Sequence, residues 1–417
     1  MATACGCRIP FHHKKAHFLT ENGLFCVLYT MDNVLLNRVE TSPKPDLRSA
    51  RVWMPKRVLF TPDALNEPFG QQMYARIEAL NLPIEVLKNN RITGLRGADE
   101  RETYRIAKNT LAVVNAPPSA MRLQPIPPSA DWQMNLAEGC PAHCQYCYLA
   151  GSLQGPPVVR VYANLPKMLE STQAYEGTYP PNASWQNVGG NANRPTTFEV
   201  SCYTDVIGIE HLTGSLAECI RYYGQREMSH RGRGQLRFVT KYDQVDSLIG
   251  LPHNGQTRAR FSINTDSIAR KLEGGTASVE ARLQALRKLA LPVEQGGGGY
   301  PVGVVIAPIM PIPNWQEEYT YLLDRLYDVL DYGHNAGVID MNVELISHRF
   351  TPGSKDVLMQ WYPNTSLDMD EATRAQKRNK FGGTKYVYQP TDMNTMRRFF
   401  QEEWAKRFPN APILYWT

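Results

Sequence analysis

The sequence predicts an α/β fold with a mostly parallel sheet covered by helices. From 136 to about 350, apolar β-rich runs alternate with helical patterns, as strands and crossover helices do in parallel sheets. The helical patterns are amphipathic: Tyr319, Leu322, Leu323, Leu326 and Leu330 recur with the i, i+3, i+4, i+7 spacing of one buried face. Three cysteines also fall in one eight-residue loop just before this alternation, Cys140, Cys144 and Cys147.

The elements follow in chain order. Residues 1–53 read as an N-terminal extension carrying Cys5, Cys7, His12, His13 and Cys26, without a familiar metal-ligand spacing. Its first twenty residues are basic and lack acids; a transit peptide fits, and a plain tail fits more simply. Residues 54–135 form a small α/β unit. It has strand-like runs at 57–60, 84–87 and 111–114, and a helix marked by Met73, Ile77 and Leu80. The Pro-rich stretch 117–128 leads into the cysteine loop. In the main body, 136–354, strands are expected at 196–202, 236–240, 258–264, 302–311 and 341–346. One intervening helix is marked by Val279, Leu283 and Leu286. Ligands in such sheets sit beyond the carboxyl ends of strands, which singles out Cys202, Lys241, Asn264 and His348. Two stretches interrupt the pattern: residues 171–195, which read as a long surface loop, and the basic stretch 221–241, with six Lys/Arg against one acid. The C-terminal segment, 355–417, contains a hairpin around 381–388 and an amphipathic helix over 392–408 with Met396, Phe400 and Trp404 on one face.

Bulk properties narrow the class. A chain of 417 residues with 42% hydrophobic and 20% charged residues holds a large core. Net charge +5 is compatible with nucleic acid without requiring it. The eight cysteines lack an obvious secretory signal, so a reducing compartment, the cytoplasm, is expected. No apolar run is long enough to span a membrane, and no membrane partner is expected.

The loop reads Cys140-Pro141-Ala142-His143-Cys144-Gln145-Tyr146-Cys147. Thiolates this close can converge on one soft metal centre. Three fall one short of the four cysteines of an ordinary iron–sulfur site, leaving one iron open. Two alternatives stand beside this. Zinc would have to recruit His143 or a remote Cys, since no second CxxC exists. Free cysteines are also often inert core residues.

The CxxxCxxC spacing resembles the signature of radical S-adenosylmethionine (SAM) enzymes, which bind SAM at the open iron of a [4Fe–4S] cluster. The resemblance runs further. Gly139–Leu149, Val159–Leu165, Phe198–Leu212, Leu236–Lys241, Arg260–Asn264 and Glu344–Phe350 are similar to the spore photoproduct lyases, in order, from near Pro55 almost to the end. That family implies a partial (β/α)6 barrel. It implies a DNA repair lyase that reverts 5-thyminyl-5,6-dihydrothymine to two thymines by a 5′-deoxyadenosyl radical mechanism. Cys140, Cys144 and Cys147 would hold the cluster. Tyr146, Thr204, Lys241 and Ser262 would surround SAM, Lys241 and the hydroxyls at its carboxylate. Cys202 would give a hydrogen atom to the thymine radical, with Tyr148 and Tyr146 relaying it back.

The partners implied are damaged duplex DNA with a flipped-out thymine dimer and an electron donor such as flavodoxin or ferredoxin; a monomer is expected. The C-terminal hairpin would grip the duplex through Arg378, Lys380, Phe381 and Lys385. Here Lys380-Phe381 stands where the family pattern has Arg-Tyr. The stretches 171–195 and 225–235 look like insertions. Two rival readings remain on the residues. One is a radical SAM homologue acting on another nucleic-acid lesion or modified base. The other is a non-catalytic zinc-stabilised nucleic-acid-binding protein.

Overall fold

The structure is a computed structural model. It describes residues 48–153, 155–180, 194–226, 233–378 and 383–417, and the backbone of two strands, Ala16–Thr20 and Gly23–Val27. Residues 1–45 and 46–417 are separate compact units. In the first, the two strands pair antiparallel. Cys5, Cys7, His12 and His13 lie outside the described residues, and Cys26 is described only as backbone.

The larger unit contains a five-stranded sheet in the order Ile84–Val86, Arg57–Phe60, Thr110–Val114, Val159–Tyr162, Ala137–Glu138. Its β-branched and aromatic residues Val58, Phe60, Val113, Val159 and Val161, and Leu111 with them, are fully buried. Val159–Tyr162 pairs parallel with Thr110–Val114. The sheet begun in 54–135 is thus completed by a strand from beyond 135, because Thr110–Val114 would otherwise present an unpaired edge. Helix Glu100–Lys108 starts at Asp99, whose side chain accepts from the Glu102 amide at 2.7 Å, a cap worth about 1 kcal/mol.

The second sheet has eight strands. Trp132–Gln133, Thr196–Glu199, Gly234–Thr240, Thr257–Ile263, Val302–Ile309 and Met341–Ser347 lie side by side in chain order, all parallel. They curl into the expected partial barrel. Two strands that the sequence pattern does not suggest extend it. Gln124–Pro125 pairs antiparallel at one edge, and Ile413–Trp416 pairs parallel with Met341–Ser347 at the other.

The period of two sorts the residues. Phe198, Phe238, Phe261, Val304 and Val343 face one side and are wholly buried. Helices such as Val279–Ala290 cover that side. This helix is capped by Ser278 and buries Val279, Leu283, Leu286 and Leu289, each worth about 2 kcal/mol in apolar burial.

The opposite, concave side carries charge. Arg237 meets Glu344 at 2.6 Å, Arg260 meets Glu344 at 2.8 Å and also pairs with Glu199, and the Tyr415 hydroxyl donates to Glu344 at 2.7 Å. Burial alone would raise the Glu344 pKa, but the two guanidiniums hold it below the ordinary value. This network lines the concave side with paired ions.

The C-terminal hairpin is formed by Ala375–Arg378 and Thr384–Val387. A bridge between Phe350 and Tyr386 fastens it to the barrel just past the Met341–Ser347 strand. Lys380 and Phe381, at its tip, lie outside the described residues. Helix Pro390–Arg407 buries Met396, Phe400 and Trp404 as its periodicity implies. Among the described residues, no helix is long and apolar enough to cross a membrane.

Candidate active site

The cysteine loop is held by backbone and ammonium contacts. Gly139 sits at φ +81°, and a Cβ there would lie 2.2 Å from the Val158 carbonyl oxygen, so only glycine fits. His143 and Cys144 pair antiparallel with Gly274 and Glu273, and the Gln145 amide donates to Leu272 at 2.8 Å. Lys108 Nζ, deeply buried, donates to the carbonyls of Cys140 and Ala142. His143 Nδ1 lies 2.8 Å from the Tyr104 hydroxyl, and burial, then Lys108, pushes its pKa down to about 4.

Cys140, Cys144 and Cys147 are free, half-buried thiols. Burial pushes Cys140 up to about 11, with the Lys108 ammonium opposing, and raises Cys144 and Cys147. Among the described residues no His, Cys, Asp and Glu side chains form a group that could hold a single metal ion. A [4Fe–4S] cluster takes each cysteine at a separate iron, so it does not require convergence on one point. The donor set, three soft thiols on one loop facing buried ammonium groups, fits such a cluster.

Beside the loop lies a second constellation. Lys241 Nζ donates to Ser262 Oγ at 2.7 Å and to Glu273 Oε1 at 3.2 Å. The Tyr146 hydroxyl donates to the same Glu273 oxygen, and Arg282 meets the other at 2.5 Å. Lys241 also lies 5.6 Å from the Tyr146 ring centroid. Burial alone would raise the Glu273 carboxyl; Arg282, then Lys241, hold it down at about 2. Asp205, buried, fixes the chain on the other side. It accepts from the Lys241 amide and from Thr240 Oγ1, each at 2.7 Å. Thr204 Oγ1 is buried with no hydrogen-bond partner. An orphaned hydroxyl next to an ammonium–hydroxyl pair suits an anionic ligand such as a carboxylate.

Cys202 lies just past the end of the Thr196–Glu199 strand. Ser201 Oγ bonds Glu199 and accepts from the Val239 amide at 2.8 Å, pinning that end to its neighbour. Tyr148, 63% exposed, donates its hydroxyl to the Cys202 carbonyl. A residue of the cysteine loop thus touches the strand-end thiol residue.

The structure therefore brings Tyr146, Lys241 and Ser262 into one network and joins Tyr148 to Cys202. It leaves one singled-out residue elsewhere. Asn264 is consumed in the core, donating to Pro308 at 2.8 Å and accepting from Tyr319 at 2.9 Å. His348 faces Arg374 and lines a cavity shared with Tyr146 and Tyr148. Lys385 lines a cavity of about 220 Å³ with Tyr146, Cys147, Tyr148 and Arg349. Arg378 ends the first hairpin strand, opposite Thr384. Sequence reasoning missed Glu273, Arg282, Asp205 and Lys108. The one local signal was an acid set before a glycine pair, Glu273-Gly274-Gly275, directly after a helix.

Comparison with known proteins decides the family. The spore photoproduct lyase family model matches residues 53–417. The chain belongs to the spore photoproduct lyase family. A spore photoproduct lyase of a Geobacillus species is 37% identical over 366 residues, 88% of this chain and 99% of the relative. That of Bacillus subtilis is 34% identical over 368 residues, again 88% and 99%. Among solved structures, a spore photoproduct lyase variant with bound AdoMet (SAM) and dinucleoside spore photoproduct superposes with a TM-score of 0.77. It is 36% identical and covered completely by 88% of this chain. A lyase complexed with the dinucleoside lesion gives 0.76 at the same identity and coverage. The radical SAM half-barrel fold expected of this family is the one observed.

Proposed function

We propose that this protein is a DNA repair lyase that reverts the spore photoproduct to two thymines. The observation that carries the reading is the contact between Tyr148 and Cys202. It joins the cysteine loop to the main chain of the strand-end thiol residue, the two places radical chemistry must connect.

When bound, a [4Fe–4S] cluster and SAM supply the one-electron chemistry that opens the lesion through a carbon radical. Cys140, Cys144 and Cys147 hold the cluster. Lys241, Ser262 and Thr204 hold the SAM carboxylate, and Tyr146 packs beside it. Glu273 and Arg282 position Lys241 and Tyr146 rather than touching ligand.

Cys202 then gives its thiol hydrogen atom to the thymine carbon radical. An S–H bond breaks, a stronger C–H bond forms, and a sulfur radical remains. Tyr148 gives its hydroxyl hydrogen atom to that sulfur, restoring the thiol, and Tyr146 continues the relay toward the cofactor. The starting electron comes from an outside donor of flavodoxin or ferredoxin type.

The hairpin, with Arg378, Lys380, Phe381 and Lys385, is the proposed duplex grip. Support comes from Lys385, which lines the same cavity as Tyr148. Arg349 and Lys377 beside it add positive charge.

The test is anaerobic incubation of the cluster-loaded protein with SAM, a reductant and the dinucleoside spore photoproduct. Thymidine products are expected. SAM cleavage without thymidine formation would overturn the substrate assignment.

A further inference from the structure

The concave side of the half-barrel has two carboxamides that the machinery above does not use. Gln133 pairs in register with Glu199, and the Met134 and Leu136 amides continue the ladder to Glu199 and Val200. Met134 and Leu136 are buried in the core. Alternation then turns Gln133 and Asn135 to the concave side, with Glu199. Neither side-chain amide is hydrogen-bonded to another described protein group, and Asn135 Oδ1 is buried without a partner.

Both line an open cavity of about 510 Å³, together with Gln124, Arg122 and Tyr203. Tyr203 directly follows Cys202. The cavity's other ion pair is self-satisfied, Arg160 meeting Glu138 at 2.8 Å. Arg122 has no acidic partner among the described residues.

A carboxamide offers one acceptor and two donors on a planar edge. That matches a ring edge presenting C=O, N–H and C=O, as the imide of thymine or dihydrothymine does. A full anion would instead call for more cations than the single unpaired Arg122. An apolar ligand would leave both amides unsatisfied.

We infer that this cavity is the lesion-reading subsite: Gln133 and Asn135 hydrogen-bond the imide edge of one ring of the dimer, and Arg122 meets backbone phosphate when DNA is bound. The inference rests on the proposed lyase function and adds the residues that choose the substrate. The imide edge is unchanged by the carbon–carbon bond that joins the two bases. The subsite therefore reads the ring as a pyrimidine-dione and leaves recognition of the cross-link to the shape of the pocket.

The probe is the dinucleoside spore photoproduct and a counterpart methylated at the imide nitrogens. Their anaerobic binding is measured on the cluster- and SAM-loaded protein. For the parent protein, methylation removes the N–H donor and should weaken binding about tenfold, the value of one or two hydrogen bonds. Asn135→Ala and Gln133→Ala should bind the plain lesion about tenfold more weakly and lose most of the discrimination against the methylated one. Iron content and SAM affinity should stay at parental values, which excludes misfolding. Parental lesion affinity with undiminished discrimination in both variants would overturn the subsite while leaving the lyase reading intact. A parent protein that binds neither probe would overturn the lyase reading and the subsite with it.

Discussion

Two sets of polar groups at the barrel mouth are treated in opposite ways. Around Glu273 every charge has a protein partner: Lys241, Arg282 and Tyr146 converge on one buried carboxylate. Thr204 and Asn135, by contrast, carry buried polar atoms that no described group satisfies. A protein leaves buried groups unpaired at a cost of about 1–3 kcal/mol each, and sites that receive a ligand are where that cost is recovered. The difference separates a scaffold that sets positions from a surface that awaits its partners. Substitutions at Glu273 and Arg282 should act on stability, and those at Thr204 and Asn135 on ligands.

The largest effect belongs to the loop itself. Cys140→Ala, Cys144→Ala and Cys147→Ala should each lose most cluster iron and all SAM cleavage. Iron assay and 5′-deoxyadenosine formation check this; full cleavage in any one of the three contradicts the assignment. Next comes Glu273→Leu. It strands two buried cations, and breaking a buried ion pair costs about 3–5 kcal/mol. Chemical denaturation should show a loss of that order. Little change would mean that water satisfies Lys241 and Arg282, and the contrast between the two sets would fail. Cys202→Ala sharpens the contrast from the ligand side. It should unfold at nearly the parental denaturant concentration and still cleave SAM. Without its hydrogen donor the substrate radical should be quenched by other donors into aberrant adducts. Clean thymine formation at the parental rate would make Cys202 merely structural.

Legibility from sequence divides along the same line. The cysteine triplet could be found because its spacing is local, and Lys241 because it ends an apolar run; Ser262 came only with the family resemblance. Strands such as Val302–Ile309 could be found because they are apolar and buried along nearly their whole length. Glu273 could not. Its role depends on Lys241 and Arg282, brought to it by the packing of two crossovers, and nothing local distinguishes it from a solvated acid in a glycine turn. Gln133 and Asn135 were hidden for a related reason. Gln133 ends a strand two residues long and Asn135 lies just past it, too short a run for alternation to register, and only the bonds to Glu199 and Val200 show which way they face. Ile413–Trp416 escaped because a four-residue run after Pro409-Asn410 reads as a frayed end until its partner strand is known.

Two smaller effects concern the hairpin side. Replacing Lys385 and Arg378 with Ala should weaken duplex binding and flatten its salt dependence by about 0.9 in log–log slope for each phosphate that is no longer neutralised. Turnover of the dinucleoside should be almost unchanged. Equal losses on both substrates would instead indicate a structural defect. His348, buried beside Arg374, has its pKa pushed down to about 3 by burial and then by that cation. Because the folded state disfavours its protonation, its stabilising contribution is complete above the unfolded value near 6.5. It is lost as pH falls from there toward 3, by at most about 1.4 kcal/mol per pH unit. Denaturation measured between pH 7 and pH 4 should therefore show a shallower decline in His348→Gln than in the parent.

The pairing of Cys144 with Glu273, together with the Gln145–Leu272 bond and the Lys108 contacts, has a practical corollary for handling the protein in air. These are bonds between protein groups other than the three thiols. Oxygen should therefore bleach the protein without unfolding it. The colourless form should keep its far-ultraviolet circular dichroism and regain its brown colour when iron, sulfide and thiol are restored. Damage would be repairable in the tube for as long as the three thiols stay reduced.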